Sequence, residues 1–125
     1  MTARILLIED NAPSLELMSY LLRSSGHLPT GAKDGTDGVR LAIDGDYDLV
    51  VTDILMPRMD GYEVLERLRE NLRLASTKIV AVTALAMLGD RERILAAGFD
   101  GYIAKPIEPE TFVSELEAFL PASRK

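Results

Sequence analysis

Five short strand-like runs, each followed by a stretch with helical spacing, constrain this chain more than any other feature. They are Ile5-Leu6-Leu7-Ile8, a weaker run from His27 to Ala32, Leu49-Val50-Val51, Lys78 to Thr83, and Asp100 to Ala104. Continuous apolar runs of this length mark strands buried on both faces rather than strands with one wet side. Strands that alternate with helices pair in parallel through right-handed crossovers, with helices covering both faces of the sheet. The expected fold is therefore an α/β, doubly wound, five-stranded parallel sheet of (βα)5 form.

Punctuation between the runs supports this division. Asn11 is an N-cap with Pro13 in the first helical turn, and Gly26 stops that helix. Pro29 places the second strand at an edge of the sheet, because proline cannot donate to a ladder. Asp34 caps the second helix, Gly45-Asp46 ends it, and Asp60 with Glu63 has capping-box spacing for the third. Gly89-Asp90 leaves the start of the fourth helix open between Ala84 and Gly98, and Pro109 opens the fifth. Helical spacing predicts inner faces of Ser14, Leu17, Met18, Leu21 and Ser25; of Val39, Ala42 and Ile43; and of Val64, Leu65, Leu68 and Leu72. The last two helices turn in Ile94, Leu95 and Ala97, and Phe112, Val113, Leu116, Phe119 and Leu120. Leu15 and Leu22 fall off the first stripe and are a candidate partner surface, as are Met87 and Leu88.

A chain of 125 residues reads as one domain over residues 1–125, with a core of about residues 4–120 and a tail from 121 to 125. There is no cysteine, which excludes disulfides, thiolate metal sites and thiol nucleophiles. His27 is the single histidine, which excludes a zinc centre built on several. It reads as an ordinary strand residue. A net charge of -6 argues against direct nucleic-acid binding, which depends on Lys and Arg neutralising phosphates. The apolar run at Ile5 is too short for a signal peptide or a membrane span, so a cytoplasmic location is expected.

In a parallel sheet every strand's C-terminal end opens on one edge, where such folds place their chemistry. Glu9, Asp10, Asp53, Thr83 and Lys105 end or follow four different strands and converge there. Three carboxylates brought together repel one another and call for a cation. All-oxygen donors favour a hard ion, and Mg2+ takes one or two carboxylates plus water and phosphate oxygens. With the Lys105 ammonium and the Thr83 hydroxyl, the set suits phosphoryl transfer, with Asp53 as nucleophile and acyl-phosphate carrier. Backbone N–H groups after Thr83, beginning at Ala84, can bind a phosphoryl oxygen. A phosphohydrolase with an aspartyl intermediate usually carries a second Asp two residues after the nucleophile, where this chain has Leu55. A dinucleotide carrier needs glycines in the first turn, where this chain has Glu9-Asp10-Asn11.

Glu9-Asp10, Asp53 with Met56-Pro57 and Asp60-Gly61, Thr83-Ala84, and Lys105-Pro106 together resemble the receiver domain of two-component response regulators. The resemblance runs from about Arg4 to Leu120, and Ala81 to Met87 with Gly89-Asp90 is similar to single-domain cell-fate regulators of that family. It implies strand order 2-1-3-4-5, a flavodoxin-like sheet. It implies that Asp53 takes a phosphoryl group from a sensor histidine kinase or histidine phosphotransfer protein. It implies a Mg2+ site (Mn2+ substituting) made by Asp10, Asp53 and the Leu55 carbonyl, with Glu9 acting through a water. Lys105 would pair with the phosphoryl group, Thr83 would swing toward it, and Tyr102 would turn into the space vacated. Lys105-Pro106 allows a cis bond. The apolar Leu55 and Leu85, two residues past Asp53 and Thr83, imply slow self-dephosphorylation. The output surface would be the β4–α4 region with α4, β5 and α5, in a monomer or phosphorylation-dependent dimer. A degenerate receiver that binds partners without phosphate, and a receiver cut from a hybrid kinase or multidomain regulator, are the alternatives.

Overall fold

The computed structural model describes residues 2–85 and 87–121; Ala86, within one of the motifs above, and residues 122–125 of the expected tail lie outside the described residues. The strands are β1 (Arg4–Ile8), β2 (Leu28–Ala32), β3 (Leu49–Thr52), β4 (Lys78–Thr83) and β5 (Gly101–Ala104). The helices are α1 (Ala12–Ser24), α2 (Gly35–Asp44), α3 (Gly61–Arg69), α4 (Asp90–Ala97) and α5 (Phe112–Glu117), with a 3-10 turn at Leu72–Leu74. All strand pairs are parallel, in the order β2-β1-β3-β4-β5. Pro29 does lie on an edge strand.

Side chains alternate across the sheet and feed two separate cores. Leu6, Ile8, Val50, Ile79 and Ala81 face α2, α3 and α4, where they meet Ala42, Val64, Leu68 and Ile94. Ile5, Leu7, Leu49, Val51, Val80 and Val82 face α1 and α5, where they meet Met18, Leu22, Phe112 and Leu116. This period-two division explains why the strand sequences are apolar throughout.

The caps form as the sequence predicts. Asn11, Asp34 and Asp60 each accept the backbone N–H three residues on, and Asp60 bonds to Glu63 at 2.9 Å. Several helix faces differ from expectation. In α1 the inner residues are Met18 and Leu22, with Leu15 packed beside them against Gly31, while Leu17 is exposed. Leu22 is therefore a core residue and not a partner surface, while Leu15 is half-buried against the same core. Ile43, Leu95 and Ala97 are exposed. Leu72 is 89% exposed, because Asn71 caps a new 3-10 turn that rotates the chain and buries Leu74 instead. Helix α4 begins only at Asp90, after Gly89 adopts φ 91, and α5 begins three residues after Pro109. His27 precedes β2 and is fully buried: Nδ1 accepts the Ala3 N–H at 3.1 Å and Nε2 lies 2.8 Å from Glu117 on α5. Because Nδ1 is an acceptor, the ring proton sits on Nε2 and is donated to the carboxylate.

Candidate functional site

Register brings the site together. Ile8, Thr52 and their paired neighbours end side by side, so the residues that follow share one edge. The backbone leaves β1 for α1 at Glu9-Asp10-Asn11, where Asn11 donates its N–H to Glu9 Oε2 at 3.2 Å. This turn keeps Glu9 inside, 1% exposed, while Asp10 faces solvent. One carboxylate oxygen from each of Glu9, Asp10 and Asp53 lies within 4.8 Å of the other two.

Asp53 follows β3 directly, and its own N–H donates to the Ile8 carbonyl at 3.0 Å. Its Oδ1 accepts the N–H groups of Ile54 (2.6 Å) and Leu55 (3.2 Å), which fixes the side chain. Its Oδ2 accepts from Lys105 Nζ at 2.9 Å. The same ammonium lies 2.7 Å from Glu9 Oε1, so the two buried carboxylates share one cation. Apart from that ammonium, the buried Glu9 Oε1 has no polar partner among the described residues, which leaves it acceptor capacity for a cation-bound water. The Lys105-Pro106 bond is cis.

Charge and burial act together here. Burial raises the Glu9 carboxyl above its ordinary value; Lys105 pulls it down, the Asp53 charge pushes it up, and the Asn11 N–H pulls it down. For Lys105, burial lowers the ammonium, but its contacts with Glu9 and Asp53 outweigh this and the net direction is up. Three acids and one lysine leave the cluster short of positive charge. The donor set is all oxygen, which fits a hard divalent ion and not a soft one.

Thr83 ends β4, fully buried, and its Oγ1 accepts the Leu85 N–H at 3.4 Å. The Tyr102 hydroxyl donates to the Leu85 carbonyl. Leu85 is therefore held through its N–H by Thr83 and through its carbonyl by Tyr102, a shared anchor that no sequence pattern marks. Tyr102 is half-buried, and Ala84 is exposed at the start of the loop. Gly61 closes the loop beneath Asp53, and any side chain there would collide with the Asp53 carbonyl. Its signal in the sequence is the Asp60-Gly61 pair.

The parallel sheet with an acidic cluster at its carboxyl edge is that of a flavodoxin-like α/β domain. Within this class, residues 5–117 match the response regulator receiver domain, and the chain belongs to that family. Receiver domains are the signalling switches of two-component systems. The polar-differentiation response regulator DivK of Brucella ovis is 34% identical over 120 residues, covering 96% of this chain and 98% of its own. The chemotaxis protein CheY4 of Vibrio cholerae superposes with a TM-score of 0.89 at 26% identity, covering 96% of this chain and 100% of that one. The receiver domain of sensor histidine kinase PA1611 from Pseudomonas aeruginosa PAO1 has a TM-score of 0.86 at 34% identity, covering 95% of this chain and 98% of its own. That structure has a magnesium ion coordinated in its active-site cleft.

Proposed function

We propose that the chain is the phosphoacceptor of a two-component phosphorelay and that Asp53 carries the phosphoryl group. The observation behind this reading is the buried Asp53 carboxylate held by two backbone N–H groups, 2.9 Å from Lys105 and clustered with Glu9 and Asp10. An Asp53 oxygen attacks the donor phosphorus, an O–P bond forms, and the bond to the donor's nitrogen breaks. The leaving imidazole keeps that electron pair. Lys105 meets the charge on the transferred oxygens, and the Ala84 N–H adds a donor. Mg2+, or Mn2+ in its place, would be held by Asp10, Asp53, the Leu55 carbonyl and Glu9 through water. Bound there, the ion supplies charge neutralisation on the phosphoryl oxygens.

Phosphorylation adds about -1.5 to -2 charge beside Thr83 and Lys105. A shift of Thr83 toward that charge draws on Leu85, the residue Tyr102 also holds, and so couples the site to the β4–α4 loop and β5. The surface of α4, β5 and α5 then reports the state to a partner, in a monomer or a phosphorylation-dependent dimer. The donor is a sensor histidine kinase or a histidine phosphotransfer protein. The similarity to a hybrid kinase's receiver favours, as a second reading, the same domain working inside a larger protein.

The test is incubation with acetyl phosphate and Mg2+, followed by mass measurement of the intact protein. One phosphoryl group is expected, absent in Asp53→Ala. No uptake, or uptake that persists in Asp53→Ala, overturns the reading.

A further inference from the structure

Thr52 is the one polar residue of β3 and the last before Asp53. It is fully buried. By strand alternation its side chain lies on the side of Val50, where the apolar core meets α2, α3 and α4. A hydroxyl there is costly unless it is hydrogen-bonded, and valine would fill nearly the same space. The hydroxyl donates to the Asp53 carbonyl at 2.9 Å. That carbonyl has no other hydrogen-bond donor among the described residues. The peptide unit it belongs to is rigid and planar, so the same contact aims its other end, the Ile54 N–H. This N–H donates to Asp53 Oδ1 at 2.6 Å. Gly61 packs on the same unit: a Cβ at position 61 would lie 2.4 Å from the Asp53 carbonyl oxygen and 2.7 Å from the Ile54 Cα.

We propose, on the phosphoacceptor reading above, that Thr52 is a positioning residue for the Asp53 nucleophile. Its hydroxyl fixes the tilt of the Asp53–Ile54 peptide, and the Ile54 N–H then holds the carboxylate in the rotation that leaves Oδ2 beside Lys105. Thr52 touches neither the donor nor the transferred group. The arrangement uses no atom of Glu9, Asp10 or Lys105, so a divalent ion in the acidic cluster leaves it in place. Without the hydroxyl the peptide unit tilts, the Ile54 N–H leaves its line to Oδ1, and the carboxylate spends less time in attack geometry. The longer bond from the Leu55 N–H, 3.2 Å, remains, so the loss is partial.

The experiment compares wild type with Thr52→Val and Thr52→Ala, which remove the hydroxyl, and with Thr52→Ser, which keeps it. Leu22→Ala, which weakens the core under α1 away from the site, is the control for stability alone. Each is phosphorylated by acetyl phosphate at saturating Mg2+, under conditions where circular dichroism shows it folded. Thr52→Val and Thr52→Ala are expected to take up the phosphoryl group about three- to tenfold more slowly. Thr52→Ser should stay within about twofold of wild type, although its lost methyl lowers the melting temperature by about 5 °C. Leu22→Ala should also keep its rate. Amide hydrogen exchange, read by nuclear magnetic resonance, tests the relay itself: Ile54 should exchange about tenfold faster in Thr52→Val, beyond any change at Val51 within β3. A Thr52→Val rate within about twofold of wild type, an equal loss in Thr52→Ser or in Leu22→Ala, or an unchanged exchange rate at Ile54 overturns the proposal while leaving Asp53 as acceptor. No uptake by wild type overturns both.

Discussion

At Glu9 burial is set against charge, and the cost is legible in its raised carboxyl. A carboxyl raised in the folded state lends stability below its unfolded value and loses that contribution as pH rises through the folded value. Without metal, Glu9→Gln is therefore expected to stabilise the chain at neutral pH, because Asp53 still pairs the Lys105 ammonium. The gain fades as pH falls through the folded value, where wild type is protonated too; urea unfolding between about pH 4 and 8 measures it. At Leu55, 54% exposed beside Asp53, an apolar side chain has no group to orient a hydrolytic water. Slow loss of the phosphoryl group is expected, and Leu55→Asn should shorten its lifetime about tenfold, below the range of a full general base. Phosphate release after donor removal measures this, and a wild-type half-life of seconds contradicts it. The acids and the lysine were readable because each ends a strand, where topology alone assigns a common edge. The Leu85 anchor was not readable, since it uses backbone groups that any residue provides.

Among the elements, strands were read well and helix faces less well. A strand buried on both sides needs only an apolar run, whereas α1 carries leucines at 15, 17, 21 and 22, enough for two overlapping stripes. Packing against Gly31 selects the stripe with Leu15 and Leu22. Leu22→Ala is accordingly expected to cost about 2–5 kcal/mol. Leu72→Ala, on the exposed 3-10 turn, should stay within about 0.5 kcal/mol of wild type in the same denaturant titration. The α3 boundary bears on the site directly. Gly61→Ala places a methyl group against the Asp53 carbonyl. It should lower stability by about 1–3 kcal/mol and slow phosphoryl uptake together, read by urea melts and by mass.

For the whole molecule, the three carboxylates exist as a set only in the folded chain, so a divalent ion that binds them stabilises the fold. Mg2+ at about 100 times its dissociation constant should add about 2.7 kcal/mol. The rise in melting midpoint should be largely lost in Asp10→Asn and in chelator. Among the described residues no helix is long and apolar enough to cross a membrane. The fold class was accessible because alternation of strands and helices is a property of the entire sequence. The His27–Glu117 pair was not, since it joins positions 90 residues apart that no periodicity relates. That pair has a bearing on synthesis. The first strand and the loop into the second leave the ribosome early, yet His27 has no carboxylate to receive its Nε2 proton until the last helix emerges. The apolar layer that α1 shares with α5 on that side of the sheet is likewise incomplete for the same interval. A nascent chain halted before Glu117 therefore holds an open seam along its central strands, and the late helix acts as the fastener that shuts it.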